Sequence, residues 1–365
     1  MTVPSPILIL TNQLTTGGAE AWVVTVSAWF AAQGAEVHVA ASPGELVGRL
    51  SPDVTYHPIP LRDLRLSVPL AAARVSALVR AHRPKLILAN SLVTAWVSRL
   101  ANPRRDIPVV AVAHGWPADR YRWIARPLAV ADRVVPVSQD VARRLGAAGL
   151  STTRMTIVPN GIDLRPFGPR DAVNVAAARH ALGAGPEDVV VTNVGRFVPQ
   201  KAQHHIVEIA RRLVPSNPRL RFALIGWGDA EASLRQQVAS LGLEAHVRFL
   251  VRRTDVPDLL MASDIYLSTS DWEGMPLSMI EAMAAGLPVV STDVEGIRAL
   301  LDSANGVLVP VGDVEGLTAG VRRLAEDEVG RLQRGAESRA RAEAQFSQDV
   351  MCRRLLEVMR EVCGP

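Results

Sequence analysis

At 365 residues with 48% apolar side chains, the chain is too long for one typical core and predicts two domains of similar size. No run approaches the roughly 18 apolar residues of a membrane span, and no basic stretch precedes the first apolar strand, which argues against a secretory signal. The net charge of +4 divides into 17 basic and 9 acidic side chains before residue 161 and 23 and 27 after it; this suits an anionic surface or a phosphorylated substrate, while dispersed arginines and scarce aromatics argue against nucleic acid.

In chain order, short apolar runs alternate with helical patterns. Ile7–Leu10 reads as a buried strand, Ala19–Ala32 as a helix, Val37–Ala40 as a strand, Leu70–Val79 as a helix and Leu86–Ala89 as a strand. Val109–Val112 and Arg133–Val137 follow, with a helix after Ser138, and Ile157–Asp163 reads as a last short strand with a turn. A polar, proline-rich stretch ending near Pro186 is the expected linker. The alternation then restarts with strands at Asp188–Asn193, Leu220–Ile225, Val247–Leu250, Asp264–Ser268, Val289–Ser291 and Gly306–Val309. Helices are expected at Ala202–Leu213, Glu231–Leu241, Val314–Ala325 and up to about Val362. This pattern predicts two doubly wound, parallel α/β domains, whose ligands bind beyond the carboxyl ends of the strands, in a cleft between them. Cys352 and Cys363 fall eleven residues apart on one predicted helix, about 16 Å along its axis and beyond disulfide reach.

The strand-to-helix loops carry the chemistry. Gly17-Gly18-Ala19-Glu20 follows the first strand; glycines admit a ligand to the backbone, and the helix start favours an anion. Gly195-Arg196…Lys201 follows the first strand of the second half. It lacks the second glycine of a phosphate-binding P-loop, yet Arg and Lys five residues apart can hold a diphosphate. Lys201 is one of only two lysines, the other being Lys85. Glu273 and Glu281 bracket the start of a helix that Pro276 can open, and a carboxylate on that apolar segment needs a partner. His114 stands at a strand end. Trp116, Arg120, Arg122, Trp123 and Arg126 follow it, suited to an amphipathic or anionic surface. No His, Cys or Asp spacing reads as a metal site.

Taken together, Gly17-Gly18-Ala19-Glu20, His114, Val137-Ser138, Asn160-Gly161-Ile162-Asp163, Gly195-Arg196…Lys201 and Glu273-x7-Glu281 resemble glycosyltransferase family 4, the retaining group 1 glycosyltransferases of GT-B fold. The resemblance spans nearly the whole chain. It implies an N-terminal acceptor-side domain at 1–165, joined by a crossing helix at 347–365, and a donor-binding domain at 166–346. It also implies transfer of a sugar from a nucleotide diphosphate, a UDP-sugar ahead of a GDP-sugar, with retention and no metal or other cofactor. In such a scheme Arg196 and Lys201 neutralise the diphosphate, Glu281 holds the ribose, and His114 and Glu273 are the catalytic candidates at the transferred sugar. Gly17, Gly18, Val251, Arg252, Gly274, Met275, Leu277 and Ser278 complete the donor set, with Val251 and Arg252 against the base. Trp116, Arg120 and Trp123 are acceptor candidates for a sugar, glycolipid or small molecule. The implied place is the cytoplasm, with peripheral contact at the inner face of an anionic membrane.

Two features depart from the family pattern. Many relatives have Glu-Gly-Phe-Gly where this chain has Glu273-Gly274-Met275-Pro276, and proline removes one backbone donor. Val251 also stands where many relatives have glycine. Two further readings fit the same residues: a nucleotide-sugar epimerase on this scaffold, which needs no acceptor, and a catalytically silent nucleotide-binding protein.

Overall fold

The computed structural model describes residues 3–61, 67–168 and 172–364. The chain divides into two compact units, Met1–Gly161 with Gln348–Pro365, and Ile162–Ser347.

Unit 1 opens with β1 (Ile7–Gln13), α1 (Gly18–Ala32), β2 (Val37–Ser42) and β3 (Val54–Pro58). It continues through α2 (Ser67–His82), β4 (Leu86–Ala89), α3 (Leu92–Ala101), β5 (Val109–Ala113), α4 (Tyr121–Leu128), β6 (Arg133–Pro136) and α5 (Gln139–Ala147). The strands form one parallel sheet in the order β3-β2-β1-β4-β5-β6. β2, β4 and β5 are buried at every position. That is why they read as unbroken apolar runs: helices cover both faces of a parallel sheet. The order reverses between β1 and β4, so the loops after these strands diverge and leave a crevice there.

Unit 2 holds α6 (Ala172–Leu182), β7 (Val189–Val194), α7 (His204–Leu213), β8 (Leu220–Gly226), α8 (Glu231–Ser240), β9 (Val247–Val251) and α9 (Val256–Met261). β10 (Ile265–Ser268), α10 (Leu277–Ala284), β11 (Val289–Thr292), β12 (Gly306–Val309), α11 (Val314–Glu326) and α12 (Glu328–Gln345) follow. Its parallel sheet has the order β12-β11-β10-β7-β8-β9, the same winding as unit 1, with the reversal between β7 and β10. Phe197, Phe222, Ile206, Leu224 and Leu267 centre its larger core cluster.

The last helix, α13 (Gln348–Cys363), returns to unit 1. The Trp29 indole on α1 donates to Asp349 at 2.6 Å, Gly161 N–H reaches the Met351 sulfur at 3.1 Å, and Met351, Leu355, Leu356 and Met359 are buried. Burying four such side chains is worth roughly 1.5–3 kcal/mol each, enough to hold a 16-residue helix that is marginal alone.

Two expectations are corrected. The stretch expected as a linker contains α6, apart from residues 169–171, which lie outside the described residues. Arg179 anchors that helix by bonding the carbonyls of Gly185, Asp188 and Ala262 and pairing with Asp264 at 3.2 Å. Ile157–Asp163 forms no strand: Thr156 and Val158 donate to β6, then Pro159 has no N–H to continue the ladder.

Candidate functional site

In unit 2 the loops after β7 and β10 are stitched together. Asp271 N–H donates to the Gln200 carbonyl at 2.9 Å and the Gln200 amide to the Trp272 carbonyl at 2.8 Å. The Thr269 hydroxyl meets the Lys201 and Ala202 carbonyls. This brings Lys201 to Glu273: the ammonium donates to Oε1 at 2.5 Å, and the Ser270 hydroxyl donates to the same oxygen at 2.7 Å. Both side chains are mostly buried, at 18% and 8% exposure. Among the described residues no bond ends on Oε2, which is left for another partner. Arg196 is exposed on the same loop, and among the described residues no ion pair holds its guanidinium.

Gly296, with φ of 85°, lets this loop close. A side chain there would put Cβ 1.8 Å from the Gly274 carbonyl oxygen, an impossible approach. Met275 is buried at 4% exposure beside Gly274.

Pro276 is the N-cap of α10, one position before the helix rather than inside it. Leu277 and Ser278 begin the first turn, where backbone N–H groups have no helical acceptor. Met279, Ile280, Met283 and Ala284 are buried, and Gly286, at φ 80°, closes the helix as the sequence predicts. Glu281 lies on this apolar helix. Among the described residues no donor reaches its carboxyl group, and burial pushes its pKa up from 4.5 to about 7. The residue is half-buried, and a carboxyl group partly withdrawn from water without a protein partner is costly.

Val251 ends β9, and Arg252 follows with φ of 52°, a left-handed conformation unusual outside glycine. Its guanidinium lies 4.8 Å from the centroid of the Trp227 ring. Trp227 follows β8, so a cation-capped aromatic face stands at the carboxyl ends of β8 and β9.

Unit 1 carries its own pocket of about 730 Å³ at the β1–β4 crevice. Asn12, Glu20, Asn90, His114, Arg120 and Trp123 are among its walls; Trp116 is another, and Gly17 and Gly18 stand just before Glu20 at the start of α1. Arg120 and Trp123 are exposed, Trp123 at 69%. Arg122 lies over the Trp123 ring at 5.1 Å. The Asn90 amide donates to the Ala19 carbonyl at 2.8 Å, which turns its oxygen toward His114, 2.7 Å from Nε2. The imidazole therefore carries its proton on Nε2 and keeps a lone pair on Nδ1. Burial pushes its pKa down to about 4, so the ring is neutral at physiological pH. Trp22 meets it edge-on at 5.7 Å.

Sequence reading passed over Asn90, Trp227 and Tyr266. Tyr266 is 2% exposed on β10; its hydroxyl lies 2.9 Å from the Ser278 oxygen and 3.3 Å from the Val194 carbonyl, tying α10 to β7. Asn90 and Trp227 each follow a strand, which was the available signal, whereas Tyr266 lies inside β10. Lys85 is exposed just before β4, at the opposite end of that strand from Asn90. Among the described residues no helix is long and apolar enough to cross a membrane.

Comparison with known proteins bears on both units. The family model described as glycosyl transferases group 1 matches residues 175–344, and that described as glycosyltransferase family 4 matches residues 16–165. A D-inositol 3-phosphate glycosyltransferase of Geodermatophilus obscurus is 32% identical, over 84% of this chain and 77% of its own. A UDP-Gal:alpha-D-GlcNAc-diphosphoundecaprenol alpha-1,3-galactosyltransferase of Escherichia coli is 31% identical over 48% of this chain; that match spans less than half of the E. coli protein, 46%. The crystal structure of Anabaena HepE in complex with UDP-glucose is similar in fold, with a TM-score of 0.85 at 24% identity over 97% of this chain and 98% of that one.

Proposed function

This chain belongs to the group 1 glycosyltransferases, enzymes of GT-B fold, and from that premise we propose that it transfers a sugar from a UDP-sugar, with retention and without a catalytic metal, to an anionic or lipid-linked hydroxyl acceptor. The carrying observation is Glu281, a half-buried carboxyl group whose pKa burial raises and which has no protein donor among the described residues. Two vicinal hydroxyls of a ribose are the donors such a group lacks.

The geometry supports a role for each of the other candidates. Arg196 is free to fold over a diphosphate, and Lys201 can turn from Glu273 to the same phosphates; two cations take the place that a divalent ion holds in other phosphate sites. Glu273 keeps Oε2 for a hydroxyl of the transferred sugar. Backbone N–H groups of Gly274, Met275, Leu277 and Ser278 surround the helix start, where negative charge is favoured. The Trp227–Arg252 pair offers a flat face for the base. Neutral His114 presents its Nδ1 lone pair to a sugar hydroxyl and, unlike an imidazolium, does not oppose positive charge developing on the ring. Gly17 and Gly18, at the start of α1, are kept in the proposed donor set.

UDP is favoured because HepE was solved with UDP-glucose and the E. coli relative is named for UDP-Gal. The acceptors in the names of the two relatives, an inositol phosphate and a diphosphoundecaprenol sugar, both carry phosphate. Arg120 in the unit 1 pocket suits that charge, and the pocket itself favours a transferase over an epimerase. The exposed Trp123 and its arginines suit peripheral contact with anionic lipid.

The test is turnover of UDP-sugars by the full chain in excess EDTA. Activity equal to that in magnesium is expected, and Arg196→Ala should lower kcat/KM by about 100-fold or more, as loss of a charge-assisted contact to the leaving group does. A strict requirement for a divalent ion would overturn the metal-free reading.

A further inference from the structure

Away from the pocket, unit 1 gathers three histidines that the sequence keeps apart. His38 is on β2, His57 on β3 and His82 at the last position of α2. One ring nitrogen of each lies within 4.8 Å of the other two. His38 Nδ1 and His57 Nε2 are 3.0 Å apart, and the His38 and His82 ring centroids are 4.0 Å apart. His38 is nearly fully buried at 3%; His57 and His82 are half-buried and so reachable from solvent. His38 pairs in register with Thr55, two residues before His57, so both rings stand on the same face of the sheet.

The hydrogen bonds sort the nitrogens. Glu36 Oε1 lies 2.9 Å from His38 Nε2, and a carboxylate only accepts, so His38 is protonated at Nε2 and bears its lone pair at Nδ1. That lone pair faces His57 Nε2, whose proton fills the gap in the metal-free protein. A carboxylate fixing a histidine tautomer from behind is the usual outer arrangement of a metal-bound imidazole.

We propose that His38, His57 and His82 form a binding site for a zinc-class transition-metal ion, with Glu36 orienting His38 and water completing the coordination. Zinc at about 2.0–2.1 Å from each nitrogen sets neighbouring ligands about 3.3 Å apart in a tetrahedron, a spacing that three nitrogens all within 4.8 Å of one another, two of them 3.0 Å apart, can reach. On binding, the ion replaces the proton on His57 Nε2, which passes to Nδ1 of the same ring, so no redox partner is needed. Neutral imidazoles favour Zn²⁺, Cu²⁺ or Ni²⁺ over Mg²⁺ or Ca²⁺. None of the three histidines lines the pocket, whose walls come from the loops after β1, β4 and β5. The ion would thus clamp the edge strand β3 to α2, a structural role independent of sugar transfer.

The test uses the full chain with its affinity tag removed and metal stripped by chelator. Titration with ZnCl2 by calorimetry should show one equivalent bound in the micromolar range or tighter, and CoCl2 should give the visible bands of a tetrahedral ion. His57→Ala and His82→Ala, checked for native circular dichroism, should each weaken zinc binding at least tenfold, and Glu36→Gln by about tenfold. Zinc should raise the melting temperature of the wild type but not of His82→Ala. Absence of stoichiometric binding, or binding unchanged in both histidine variants, would overturn the proposal.

Discussion

Glu281 and His114 titrate in opposite senses. The Glu281 carboxyl is raised from 4.5 to about 7, so the folded state holds a proton that the unfolded state has lost within this window. Stability from this group is complete below pH 4.5 and is lost as pH rises to about 7, a change of about 3 kcal/mol. Glu281→Gln should therefore be more stable than the wild type at pH 8 and equal to it near pH 4.5, as read from urea unfolding. An unchanged difference across that range would mean the carboxyl is solvated. His114, lowered from 6.5 to about 4, behaves inversely: its contribution is present above pH 6.5 and is lost as pH falls through 4. Asn90 sets its tautomer through the 2.7 Å bond. Asn90→Asp places a negative charge there and should raise the His114 pKa by one unit or more in an NMR titration; no movement would show that the two side chains are not bonded.

At the scale of elements, two glycines near α10 separate stability from function. Gly286 and Gly296 both have positive φ, 80° and 85°, but their surroundings differ. A methyl group at Gly286 meets nothing nearer than 3.9 Å, while at Gly296 it meets the Gly274 carbonyl at 1.8 Å. Gly286→Ala should cost about 1–2 kcal/mol of backbone strain and leave nucleotide affinity intact. Gly296→Ala should cost more and displace the Glu273 loop, weakening nucleotide binding at least tenfold in calorimetry. Equal affinities for the two variants would contradict the assignment of that loop to the donor.

For the molecule as a whole, the alternation of apolar strands and amphipathic helices carried the architecture, because strands buried on both faces leave no polar positions to obscure them. Charged loops were legible for a related reason: Arg196, Lys201 and Glu273 follow strand ends, where a doubly wound sheet puts its ligands, and Glu281 sits on the helix that the last of these loops opens. What stayed hidden depends on neighbours across the sheet. Asn90 matters only because the β1–β4 crevice brings Ala19 and His114 to it, and Trp227 only because Arg252 reaches over its ring. The three histidines of unit 1 come from two strands and a helix, and no spacing in the chain announces them. Helix α6 was read as a linker because flanking prolines dominated its alanine-rich run, and its anchor, Arg179, bonds groups as far on as Asp264.

On the proposed assignment Glu281 holds the ribose of the donor as a carboxylate. This claim is tested most directly by calorimetric binding of UDP-glucose and GDP-glucose, whose diester phosphates do not titrate near neutrality, at pH 6 and pH 8. Wild-type affinity for the preferred nucleotide should rise by about tenfold between these values, with proton release, because binding selects the ionised form. Glu281→Gln should bind at least tenfold more weakly at pH 8, with no pH dependence. Wild-type binding that ignores pH, or an undiminished affinity in Glu281→Gln, would contradict the claim.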